Sequence, residues 1–104
     1  MAVDRQPGLD GTWGVGEEQP VLLDVTGSTA RLAFRGRFFV FEGVGRLRGH
    51  LAEDSVSLAG DGLRIEADPE RIEITSGERT TTRSMAELPA GDRFVYRGGE
   101  LQPR

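Results

Sequence analysis

A turn signal recurs about every eight residues along the chain, and the segments between are rich in Val, Leu, Ile and Phe with alternating polarity. The signals are Gly27-Ser28, Arg35-Gly36, Gly43-Val44-Gly45, Glu53-Asp54, Gly60-Asp61-Gly62, Asp68-Pro69-Glu70, Ser76-Gly77 and Pro89-Ala90-Gly91-Asp92. Short strands punctuated in this way are the pattern of an antiparallel β-meander. The abundance of glycine, 15 of 104 residues, fits many tight turns. A chain of this length supplies one domain with one core, too small to enclose a large cavity as well.

Nine or ten short strands are expected. Val21, Leu23 and Val25 share one face of the second, and Ala30, Leu32 and Phe34 alternate with Arg31, Ala33 and Arg35 in the third. Ile72 and Ile74 alternate with Arg71, Glu73 and Thr75 in the cleanest amphipathic strand. Residues 79–83, Arg-Thr-Thr-Thr-Arg, have strong β propensity and hardly an inward apolar residue, which predicts an edge strand. Helix is limited to one turn within 82–88, capped by Ser84 and stopped by Pro89. The fold class is therefore all-β. A small up-and-down barrel is preferred because closure removes exposed edges, with a two-sheet sandwich as the alternative. Residues 1–10 are expected to be a flexible arm and 98–104 a flexible tail, flanking one domain over 1–104.

What the chain lacks is as informative. It has no Cys, no Lys and no Asn, and a single His at position 50. That excludes thiol nucleophiles, disulfides, cysteine zinc sites, Schiff bases and a P-loop. No metal site and no cofactor is expected: Asp61-Gly62 and Asp68-Pro69-Glu70 sit in hairpin turns without EF-hand spacing. No serine has a Gly-x-Ser-x-Gly context. The net charge of −4 argues against nucleic acid. No apolar run has the length of a membrane span and no leader is visible, so a soluble, cytoplasmic protein is expected.

The opening Gly11-Thr12-Trp13, preceded by Leu9-Asp10, resembles the Gly-x-Trp that begins the first strand of calycin-type barrels, the lipocalins, fatty-acid-binding proteins and avidins. The resemblance implies that Trp13 plugs one barrel end with Arg97 or Arg93 across its ring, and that a small apolar or amphipathic molecule is bound inside. Trp13, Phe39, Phe41 and Tyr96 would then line the ligand site. Trp13 is equally explained as a core aromatic at a strand start.

Five further features bear on function. Residues 37–42, Arg-Phe-Phe-Val-Phe-Glu, are apolar on both faces, so this strand is covered on both sides or meets another chain through Phe38 and Val40 as a homodimer. Glu42 shares a face with Phe38, Val40 and Val44, where a carboxyl group could act as a general acid; otherwise it is an external ion-pair partner of Arg31, Arg46 or Arg48. His50, beside Glu53-Asp54, is the one candidate acid-base imidazole, although alternation puts it on the solvated face. The turn Arg35-Gly36-Arg37 offers two guanidinium groups to a small anion. Between Ser28 and His50 there are five Arg and one acid, and between Leu51 and Glu78 eight acids and two Arg, a split that suits self-association. A ligand-binding barrel ranks first, an interaction or self-assembling module without ligand second, and a small cyclase or isomerase using Glu42 third. An enzyme is the least favoured of the three.

Overall fold

The structure is a computed structural model that describes residues 11–18, 20–43, 47–60, 62–97 and 99–103. Eleven strands lie within these residues: β1 Gly11–Val15, β2 Val21–Thr26, β3 Thr29–Phe34, β4 Arg37–Glu42, β5 Arg48–Ala52, β6 Ser55–Gly60, β7 Leu63–Ala67, β8 Arg71–Ser76, β9 Arg79–Ser84, β10 Arg93–Arg97 and β11 Glu100–Pro103. The all-β class holds. The strands form two sheets, however, and not the closed barrel preferred from the sequence. One sheet has the order β1-β2-β3-β4-β10-β11 and the other β5-β6-β7-β8-β9.

The barrel fails because the meander is interrupted. After β4 the chain leaves the first sheet and builds the whole second sheet as consecutive antiparallel hairpins. It then returns as β10, which pairs in parallel with β4: Arg93 opposite Phe38, Phe94 opposite Phe39, Val95 opposite Val40 and Tyr96 opposite Phe41. Residues 38–41 and 94–96 are apolar at consecutive positions, so this parallel pair is hydrophobic on both faces. Residues 100–103, expected to belong to a tail, form β11 against β10. The expected arm, residues 1–10, lies outside the described residues.

The inward-facing positions of both sheets put the core between them. Val21, Leu23, Val25, Ala30, Leu32, Phe34, Phe39 and Phe41 of the first sheet are buried, facing Leu51, Val56, Leu58, Ile65, Ile72 and Ile74 of the second. Two in-register aromatic pairs, Phe39 with Phe94 at 5.7 Å and Phe41 with Tyr96 at 6.0 Å, tie the parallel junction on its inner side. β9 is the edge of its sheet, as its threonines imply, and Thr81 Oγ1 donates to the Gly99 carbonyl at 2.8 Å, joining that edge to the β10–β11 turn.

The one helical element among the described residues is a 3-10 turn at Met85–Glu87, whose start is capped by Ser84 Oγ accepting from the Ala86 N–H at 3.3 Å. Met85 and Leu88 are buried there. The β3–β4 hairpin turns on Arg35 and Gly36, both at positive φ (50° and 90°), the combination that a two-residue turn needs to match strand twist. At Gly49 on β5 the backbone has φ 152° and passes close to β6, so that a β-carbon would collide with the Ser57 carbonyl oxygen.

Gly49→Ala is therefore expected to cost at least about 2 kcal/mol, combining backbone strain with overpacking. Urea denaturation of the two proteins checks this. A variant as stable as the parent would show that β5 does not approach β6 as described.

Candidate functional site

In the first sheet, strand parity divides the candidate residues between two faces. Phe39 and Phe41 point into the core and are fully buried, and Tyr96 is nearly so. Trp13 packs half-buried against the edge of the same core. These four rings, grouped by the sequence as a ligand site, are brought to one layer, and that layer is packed. The stacked and tilted contacts of Phe39 with Phe94 and of Phe41 with Tyr96 are those of a filled interior. Tyr96 Oη is the one buried side-chain polar atom among the described residues without a hydrogen-bond partner.

The outer face of the same sheet carries the other set. Register places Leu22, Ala33, Phe38 and Arg93 in one row across β2, β3, β4 and β10, and Asp24, Arg31, Val40 and Val95 in the next. Phe38 is 41% exposed, the one large hydrophobic side chain among the described residues that is. It borders a groove of about 340 Å³, whose walls include Leu22, Asp24, Arg31, Val40 and Arg93. Val95 is buried on this outer side, apart from the inter-sheet core.

Charged groups rim the groove. Asp24 accepts a hydrogen bond from Thr12 Oγ1 at 2.7 Å and pairs with Arg31 at 3.6 Å. Glu42 accepts from Arg97 Nη2 at 2.7 Å, one row further on. Arg93 holds its guanidinium 5.9 Å from the centre of the Phe38 ring, a cation–π distance. The groove thus has an apolar centre and a charged, hydrogen-bonded rim.

The remaining sequence candidates lie elsewhere or are already engaged. Glu42 is external, in an ion pair with Arg97; of the cations named for it from the sequence, Arg46 lies outside the described residues, as does its face-mate Val44. Arg97 is thereby on the outer face and Arg93 over Phe38, so neither lies against Trp13. His50 is exposed on the outer face of the other sheet, opposite Ser57, and no hydrogen bond joins it to Glu53 or Asp54. Glu42 and His50 thus occupy outer faces of different sheets and do not form one site.

The two arginines of the β3–β4 turn serve the fold. Arg37 donates through Nε to the Leu88 carbonyl and through Nη2 to the Met85 carbonyl at 3.1 Å, closing the C-terminal end of the 3-10 turn. Arg35 Nη1 reaches the Glu53 carbonyl at 3.1 Å, across to the other sheet. An anion at this turn would compete with those carbonyls. Among the described residues no group of three or more His, Asp or Glu side chains is placed to hold a metal ion.

The groove residues Leu22, Ala33, Arg31, Asp24 and Arg93, with Val95 beside them on the same face, were not singled out as a site by the sequence. A signal was available. Val21-Leu22-Leu23 and Phe94-Val95-Tyr96 are, like residues 38–41, apolar at consecutive positions, and each contributes one out-of-phase residue to the same outer face.

Comparison with known proteins finds no matching family model, no matching curated protein and no matching solved structure.

Two substitutions separate external from structural charge. Glu42→Gln is expected to change stability by no more than about 1 kcal/mol, because the Glu42–Arg97 pair is 46% and 66% exposed. Arg37→Ala is expected to cost about 2 kcal/mol or more, since it removes charged donors from two carbonyls at half-buried positions. Chemical denaturation of both variants checks the contrast.

Proposed function

We propose that this protein is a binding module, not a catalyst, and that it works by docking another protein surface on the outer face of the sheet that contains β4 and β10. The observation that carries this reading is the 41% exposure of Phe38 at the border of the groove, in a chain whose other large aromatic side chains are wholly or partly withdrawn from water. Leaving a phenylalanine in water forgoes about 2 kcal/mol of burial, a cost that a docked partner recovers. The separation of Glu42 from His50 supports a binding role over acid-base chemistry.

A second reading has its own support. A volume of about 340 Å³ lies within the range of small-molecule sites, so the groove could take a small amphipathic molecule, in keeping with the ligand-binding expectation but on the outer face. Native mass spectrometry of the purified protein tests it. A retained compound that disappears in Phe38→Asp would favour this second reading.

The docking reading is tested by a photo-crosslinking amino acid, p-benzoylphenylalanine, placed at position 40 and, as a control, at position 57 in the cells that make the protein. A discrete protein adduct from position 40 and none from position 57 is the expected result. No adduct from position 40, or the same adducts from both positions, would contradict the assignment of this face.

A further inference from the structure

Resting on that reading, we infer that the occupant of the outer face is a second copy of this chain, related to the first by a two-fold axis that runs along the strands between β3 and β4. The face is self-complementary about that line. A two-fold axis there lays β3 of one protomer over β4 of its partner, and β2 over β10, while keeping each row in register. In the row Leu22, Ala33, Phe38, Arg93, each Phe38 then faces the partner's Ala33, a large side chain against a small one. Leu22 faces the aliphatic stem of the partner's Arg93, which can lie along apolar surface while its charge stays at the rim.

Charge follows the same symmetry. Asp24 stands on the β2 side of the axis and comes opposite the partner's Val95, which is flanked one row to either side by the partner's Arg93 and the partner's Arg97. Facing sheets pack at about 30° to one another, so a rotation of either hand carries Asp24 toward a guanidinium. Arg93 makes no ion pair with a carboxylate among the described residues, so it gains one in this arrangement. The outer face of the other sheet has no equivalent centre. Its middle row is His50, Ser57, Glu66, Glu73 and Thr82, with the two glutamates directly opposite each other.

Size sets the strength of the association. Four strands at about 4.8 Å spacing and five residues at about 3.4 Å give a face of roughly 19 by 17 Å. That lies at or below the lower end of stable interfaces, so the dimer should form and dissociate with a Kd on the order of tens of micromolar.

Sedimentation velocity between about 10 µM and 1 mM tests the inference, a range that brackets such a Kd. The wild type is expected to pass from monomer to dimer and to stop there, and Phe38→Asp to raise the Kd about 30-fold or more, as loss of a central anchor does. Phe38→Ala should weaken the dimer, and combining it with Ala33→Phe should restore it by exchanging the large and small positions. That exchange keeps the test decisive if Phe38→Asp disturbs the fold, which circular dichroism monitors. A wild type that stays monomeric throughout, a dimer indifferent to Phe38→Asp, or growth beyond dimer of the kind head-to-tail docking on the Glu66–Glu73 face would give, overturns the inference. Failure here is distinguishable from failure of the reading on which it rests: a position-40 adduct to a different protein would remove the second copy and leave the face assigned.

Discussion

The parallel pairing of β4 with β10 is the constraint on which the rest of this structure depends. Strands separated by some fifty residues meet in four consecutive cross-strand positions, with an ion pair one position beyond, and almost every one is a specific contact. Arg93 lies over Phe38, Phe94 stacks on Phe39, Val95 flanks Val40, Tyr96 leans on Phe41, and Arg97 binds Glu42. The pairs alternate between the core and the outer face. One junction therefore finishes the interior and creates the surface assigned to binding, because without β10 the outer face would end at Phe38 and Val40. It also carries a kinetic cost, since closing so long a connection makes this pairing one of the most non-local events of folding.

Interior and exterior divide the work. Phe34, Phe39 and Phe41, with the leucines and isoleucines of both sheets, fill the layer between the sheets, and the aromatic residues first grouped as a ligand site lie in or against that layer. The connection back to β10 is pinned by Arg37, whose guanidinium satisfies the carbonyls of Met85 and Leu88 while those two side chains enter the core. Held in this way, Arg93 enters its strand beside Phe38. A charge that seemed available to an anion in the sequence is a fastening of the fold.

Much of the fold was readable in the sequence where a single local rule decides it. Alternation assigned the inward residues of β2, β3 and β8, the threonines of β9 marked an edge, and Ser84 followed by Pro89 marked the helical turn at Met85–Glu87. Topology was not readable in the same way. A nearest-neighbour meander and a chain that leaves one sheet to build another have the same alternation and the same turns, and they differ only in which distant strands pair. The single residue-level hint was the two-sided hydrophobicity of residues 38–41, mirrored in 94–96. The candidate site was readable in part. Phe38 and Val40 were recognised as an outward pair, whereas Leu22, Ala33 and Val95 join them only once register sets four strands side by side.

The register of β10 against β4 is accordingly the quantity to measure, by backbone nuclear Overhauser contacts in uniformly labelled protein. Parallel pairing should give interstrand amide and α-proton contacts that advance together along both strands, from Arg93 and Phe38 to Tyr96 and Phe41, with amides on β4 slow to exchange. Contacts that run in opposite directions along the two strands, or a β4 whose second edge exchanges freely with water, would contradict the junction and the outer face built on it.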